Sequence, residues 1–124
     1  MISHKTILVV EDDHDLRGLY ALMLRRGGWT VCEAESGEQA SILLDALRPD
    51  AIILDIMLPG RDGIHVCRDL RAQPDLPRIP IMILTALDRP GLRERALAAG
   101  ADVYVTKPVT SADLNAHIYR LART

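Results

Sequence analysis

Four short apolar runs in this 124-residue chain each end in residues that can do chemistry. Thr6-Ile-Leu-Val-Val10 ends in Glu11-Asp12-Asp13 and Ala51-Ile-Ile-Leu54 in Asp55. Ile81-Met-Ile-Leu84 ends in Thr85, and Val103-Tyr-Val-Thr106 in Lys107. Clustered carboxylates repel one another and cost free energy to desolvate, so they need a compensating cation. Acidic oxygens select a hard ion, and magnesium is the natural choice where phosphate is also handled. Asp12, Asp55 and a backbone carbonyl at Met57 would give it oxygens, with Glu11 acting through water or directly. A carboxylate is also a competent nucleophile toward an activated phosphoryl group. The product would be an acyl phosphate, which hydrolyses readily and suits a temporary mark. Phosphoryl transfer asks the protein mainly to position groups and neutralise charge. Lys107, a mobile point charge, can neutralise one side of the phosphoryl group. The Thr85 hydroxyl can hydrogen-bond another oxygen. Asp55 is therefore the candidate nucleophile, with Thr85 and Lys107 as its catalytic partners.

These residues meet only if the apolar runs are parallel strands that end on one edge of a sheet. The intervening segments support this. Leu16, Leu19, Tyr20, Met23 and Leu24 recur at helical spacing, and Gly27-Gly28 stops the pattern. Thr30 to Ala34 makes a weaker strand. Ser36 is a plausible cap for a helix carrying Ala40, Leu43, Leu44 and Leu47, closed by Pro49. The loop Leu58 to Gly63 carries turn formers, and Gly63, Val66, Cys67 and Leu70 continue at helical spacing. A further helix is predicted from near Pro90 to before Gly100. Ser111 can cap a last one with Leu114, Ile118, Leu121 and Ala122 on one face. Five strand-then-helix repeats imply an α/β fold, a single-domain doubly wound (βα)5 sandwich over residues 1–124. In such open sheets, sites form at the carboxyl ends of the strands, where strand order reverses.

Composition narrows the setting. The formal net charge is −2, so no basic nucleic-acid surface is indicated, and no direct nucleic-acid binding is expected. Cys32 and Cys67 form no metal or redox motif and read as small buried residues in a reducing cytoplasm. No apolar run approaches the roughly 20 residues a membrane helix needs. Met1 to Lys5 lacks a signal-peptide core, so the chain is expected to be cytoplasmic and off the membrane. His4, His14, His65 and His117 are scattered without metal spacing and read as surface residues. Asp13 reads as a helix cap, and Trp29, at the other end of its strand from the site, as packing. Arg93, Glu94, Arg95 and Arg120 read as a solvated charged face.

Four stretches together resemble the receiver domains of bacterial response regulators. They are Ile7-Leu-Val-Val-Glu-Asp-Asp13, Ile53-Leu-Asp-Ile-Met-Leu-Pro-Gly60, Leu84-Thr-Ala86 and Gly100-Ala-Asp-Val-Tyr-Val-Thr-Lys-Pro108. The resemblance spans nearly the whole chain, in order. It implies a flavodoxin-like sheet of strand order 2-1-3-4-5 and Asp55 as phosphoacceptor. Glu11 and Asp12 would be the acidic pair that holds Mg2+, and Lys107 the basic partner. It implies Thr85 and Tyr104 as a switch pair, the hydroxyl moving toward the phosphoryl group and the ring turning inward behind it. The phosphodonor would be a phosphohistidine on a sensor histidine kinase or a histidine phosphotransfer protein. The surface of the last two helices and last strand would then act on an output domain or downstream protein.

The chain departs from the commonest pattern in places. It has no Phe, and Val109 stands where Phe often follows Lys-Pro. Val103 and His117 replace residues that pair across the usual dimer of transcriptional regulators. A homodimer on phosphorylation stays open, but these changes count against that particular interface. Two competitors of similar topology fit less well. A phosphatase working through an aspartyl intermediate usually carries a second acid two residues after its nucleophile, where this chain has Met57. A flavin-binding module needs a Ser/Thr/Gly-rich phosphate loop where this chain has Glu11-Asp12-Asp13. Met57 and Leu87 offer no hydrogen bond to an attacking water, which predicts slow loss of the mark.

Overall fold

The runs at residues 6–10, 51–54 and 81–85 are buried on both sides of a sheet, which is why they read as continuous rather than alternating; the two edge runs are only partly buried. The computed structural model describes residues 5–122. The strands are β1 (Thr6–Val10), β2 (Thr30–Ala34), β3 (Ala51–Leu54), β4 (Ile81–Thr85) and β5 (Val103–Thr106). All pair in parallel, in the order β2-β1-β3-β4-β5. The helices are α1 (His14–Arg26), α2 (Gly37–Leu44), α3 (Gly63–Ala72), α4 (Leu92–Ala98) and α5 (Ser111–Ala122).

Successive side chains along a strand point to opposite faces, so one sheet feeds two cores. Leu8, Val10, Ile52, Leu54 and Ile83 face α2, α3 and α4, where they meet Leu44, Ile64, Cys67, Leu70 and Ala96. Ile7, Val9, Ile53, Met82 and Leu84 face α1 and α5, where they meet Leu24, Leu114 and Ile118. Each fully buried Leu or Ile contributes roughly 1.5–3 kcal/mol relative to exposure. The predicted doubly wound sandwich and its strand order are what the chain forms.

Local signals explain most element ends. Asp13 caps α1 by accepting from the Leu16 amide at 3.0 Å, and Ser36 caps α2 from Gln39 at 3.1 Å. Five expectations need correction. Helix α2 stops at Leu44, a turn before Leu47 and Pro49, where the amides of Asp45 and Ala46 bond back three residues, to the carbonyls of Ile42 and Leu43, and tighten the last turn. Helix α4 begins at Leu92 rather than near Pro90, since Gly91 is left-handed at φ 82°. Thr110, not Ser111, caps α5: its hydroxyl accepts from the Asp113 amide at 3.0 Å. Leu19 lies off the core stripe at 44% exposure. Cys67 is buried and Cys32 only half-buried; both are free thiols. The His4 reading lies outside the described residues.

The amino edge of the sheet is clamped. Asp102, just before β5, donates its amide to the Ile81 carbonyl at 2.8 Å. Its carboxylate accepts from the Ile81 amide at 2.8 Å, Arg71 at 2.9 Å and Arg78 at 2.6 Å. Arg71 also donates to the carbonyls of Gly100 and Ile79, at 3.0 and 2.6 Å. The start of β5 is thereby tied to α3 and to β4.

Candidate functional site

The opposite edge gathers the chemistry, and the backbone does the gathering. Parallel pairing continues one residue past the strands: the Glu11 amide donates to the Ala34 carbonyl at 3.0 Å, and Asp55 to Val10 at 3.2 Å. Lys107 does the same to Thr85 at 2.8 Å. Among the described residues the buried polar or charged ones are Glu11, Asp55 and Thr85, all at this edge. Burying two carboxylates here is costly without a function or a partner.

Lys107 is that partner in this structure. Its Nζ lies 2.5 Å from Glu11 Oε1 and 2.8 Å from Asp55 Oδ2, bridging the two acids. The other Asp55 oxygen accepts from the Met57 amide at 3.1 Å, and Glu11 Oε2 accepts from the Asp13 amide at 3.2 Å. The Thr85 hydroxyl accepts from the Leu87 amide at 3.3 Å. Arg17 donates to the Glu11 carbonyl at 2.8 Å and to Glu33 at 3.3 Å, fixing the acidic loop to β2. Tyr104 is turned inward and buried, and its hydroxyl donates to the Leu87 carbonyl at 2.7 Å. The Arg93 guanidinium lies over its ring, 5.3 Å from the centroid. Thr85 and Tyr104 thus both reach Leu87, one through its amide and one through its carbonyl. The Lys107–Pro108 peptide is cis.

Asp12 is exposed at the rim and stands outside the Lys107 pair. Among the described residues, no three His, Cys, Asp or Glu side chains converge as a metal cage. The donor chemistry still suits a hard cation. Glu11, Asp12 and Asp55 offer carboxylate oxygens, and no hydrogen bond among the described residues uses the Met57 carbonyl. The metal residues read from sequence share this edge, with Lys107 neutralising the inner two.

Burial pushes the Glu11 carboxyl up from 4.5 to about 7, against the pull of Lys107. Burial also raises Asp55, but hydrogen bonds from Lys107, the Met57 amide and Thr85 outweigh it and hold the carboxyl below 3.8. For Lys107 burial favours the neutral form, and its bonds to Asp55 and Glu11 reverse that, raising it above 10.5. The sign for stability follows. Between pH 4.5 and about 7 the folded chain binds the Glu11 proton more tightly than the unfolded chain does, so stability falls as pH rises. Asp55 acts the other way and only below pH 3.8. Glu11→Gln cannot ionise. With EDTA present it is expected to lack this fall and to exceed the native protein above pH 7 by roughly 3 kcal/mol. Urea denaturation across that pH range checks it, and parallel pH profiles for the two proteins would refute it.

Gly63, the first residue of α3, packs directly behind the site. A Cβ there would lie 2.0 Å from the Asp55 carbonyl oxygen and 2.9 Å from Ile56 Cα. Both neighbours are backbone and cannot swing aside. Gly63→Ala is expected to destabilise the fold by about 3 kcal/mol or more, the upper range of overpacking. A midpoint in urea within error of the native one would contradict this close approach.

Residues 7–119 match the family model described as the response regulator receiver domain. The chain belongs to this family. This receiver domain is 43% identical over 117 residues to the phosphate regulon transcriptional regulatory protein PhoB of Rhizobium meliloti, covering 94% of the chain and 52% of PhoB. It thus spans about half the length of the curated relatives it matches. The receiver domain of the sensor histidine kinase PA1611 from Pseudomonas aeruginosa superposes with a TM-score of 0.87 at 37% identity, covering 97% of this chain and 98% of that one. That structure has a magnesium ion coordinated in its active site cleft. The BeF3-activated receiver domain of Klebsiella pneumoniae RstA superposes at 0.88 with 36% identity, covering 96% and 99%. The chain is a receiver domain of two-component response regulators, and its role is in signalling. No helix among its described residues is long and apolar enough to cross a membrane.

Three residues of this receiver domain's site were missed in the sequence. Gly63 left a trace, as a glycine opening an apolar helical pattern. Arg17 and Tyr20 left none, since each looks like an ordinary member of α1. Tyr20 lies under Lys107, whose Nζ is 5.6 Å from the ring centroid.

Proposed function

We propose that Asp55 accepts a phosphoryl group and that the domain, residues 1–124, is a switch that catalyses its own phosphorylation and slow dephosphorylation. The observation that carries this is the Lys107 ammonium bridging buried Glu11 and Asp55 at the carboxyl edge. An Asp55 oxygen attacks the phosphorus of a phosphohistidine. The O–P bond forms, the P–N bond breaks, and the imidazole leaves with the electron pair. Lys107 stays beside the new phosphoryl oxygens, and the Thr85 hydroxyl donates to one of them. Tyr104 stays inward behind Thr85 and links the site to the face of α4, β5 and α5. Glu11, Asp12, Asp55 and the Met57 carbonyl would hold Mg2+. When bound, Mg2+ neutralises charge on the phosphoryl oxygens.

The donor in this reading is a sensor histidine kinase or a histidine phosphotransfer protein, which fits a cytoplasmic setting. The target is an output domain or a downstream protein, as the transcriptional relatives suggest. A homodimer on phosphorylation would need contacts of its own. Val103 offers no carboxylate, and His117 Nδ1 lies 3.1 Å from Arg120 in the same helix. A phosphatase is disfavoured because Met57, 56% exposed beside Asp55, cannot donate a proton.

Acetyl phosphate with magnesium is expected to add one phosphoryl mass to the protein, and EDTA to prevent it. Intact-protein mass spectrometry reads both. No gain with magnesium would sink the reading. After the donor is removed, the mark is expected to decay with a half-life of minutes to hours at neutral pH. Decay within seconds would show that an attacking water needs no hydrogen bond from the side chains at Met57 and Leu87.

A further inference from the structure

Lys107 has a third partner besides its two acids. Tyr20 of α1 is 4% exposed and belongs to the core between the sheet and α1 and α5. The Lys107 ammonium lies over its ring at 5.6 Å, within the roughly 6 Å over which a ring face attracts a cation. The lysine side chain is itself only 12% exposed, so water screens this attraction little.

The three partners differ in what the reaction does to them. Asp55 becomes an acyl phosphate, and Glu11 is a candidate metal ligand. Both are diverted from Lys107 as the site fills. The Tyr20 ring is neutral, offers its face rather than an oxygen, and is fixed by packing with Val9, Leu24 and Leu84. An aliphatic side chain would fill the same space but has no quadrupole to hold an ammonium. We propose that Tyr20 is a positioning residue for phosphoryl transfer: its ring keeps the Lys107 ammonium at the site when the carboxylates are taken up by metal and phosphoryl group. This rests on the role given to Lys107 above.

The chain has two lysines, Lys5 and Lys107, so lysine-selective 13C labelling gives a spectrum of two side chains. The ε-methylene signal of Lys107, identified by its loss in Lys107→Arg, is expected upfield of that of Lys5 in the full chain. It should stay upfield when magnesium and beryllofluoride are added. Tyr20→Phe should preserve the shift, and Tyr20→Leu should abolish it. Phosphorylation by acetyl phosphate should stay within about two-fold of native in Tyr20→Phe and slow by about five- to thirty-fold in Tyr20→Leu, the size of a desolvated cation–π contact. If Tyr20→Leu fails to fold, Tyr20→Met takes its place, and the spectrum of the native protein needs neither. A Lys107 signal without an upfield shift, or one that joins Lys5 on adding beryllofluoride, overturns the proposal. So does a folded Leu or Met variant that reacts at the native rate. Failure of the native protein to react at all strikes the phosphoacceptor reading instead, and with it this one.

Discussion

Asp55→Asn is expected to gain no phosphoryl mass from acetyl phosphate and magnesium under conditions that modify the native domain fully. The substitution is nearly isosteric, so the buried position after β3 is still filled. The Met57 amide still has an oxygen to donate to, and Lys107 keeps its bond to Glu11. What is lost is the negative charge and the nucleophilic oxygen. A neutral amide does not displace a phosphoryl leaving group under these conditions. Circular dichroism should match the native protein, which separates lost chemistry from lost fold. A full gain in the variant would move the acceptor elsewhere. Glu11 and Asp12 share the edge and would be tested next.

Lys107→Ala is expected to be the most damaging change to the metal-free fold among the site variants. It leaves Glu11 and Asp55 buried near each other with no cation between them. Breaking a buried ion pair by removing one partner costs about 3–5 kcal/mol. Part of that cost is relieved as Glu11 takes up a proton, so the loss should be greatest above pH 7, where native Glu11 is ionised. Magnesium should recover some of it by supplying a new countercharge, and sodium at equal ionic strength should not. Phosphorylation should slow by about 10²–10³, the usual cost of losing one group that stabilises transition-state charge. Urea denaturation with and without magnesium, beside initial rates from acetyl phosphate, reads all three effects. Unchanged stability in EDTA would mean that the ammonium does not bridge the acids in solution.

Much of this site was legible because of how parallel sheets are built. Once Val10, Leu54, Leu84 and Thr106 are read as strand ends, the edge is defined and Glu11, Asp55, Thr85 and Lys107 must share it. Helix starts at Asp13 and Ser36 were equally plain, because a cap is a local hydrogen bond with a local signal. The α2 end was not, because it depends on whether the last amides bond back three residues or four, a difference that side-chain periodicity does not carry. The choice between Ser111 and Thr110 as cap turns on one residue of backbone geometry, which periodicity does not resolve. Lys107 was expected beside a phosphoryl group and is found resting on two carboxylates, since unneutralised acids draw in the nearest cation. The contact of Tyr20 with Lys107 spans 87 positions, the separation between residues 20 and 107. Nothing in either local pattern announces it.

The Asp102 clamp has a mechanical consequence. Strand β5 is fastened at its root through Ile81, Arg71 and Arg78. Its far end runs to Lys107, where the bonds to Glu11 and Asp55 are the ones the chemistry must rearrange. A beam held at one end and loaded at the other bends most at its tip. On the phosphoacceptor reading, displacement would concentrate at the far end, at Thr106 and Lys107 beside the Leu87 loop, while the root at Val103 and the α3 side stay still. The clamp would then act as a fulcrum, so that a small change at one carboxylate is felt at one end of the strand and not at the other.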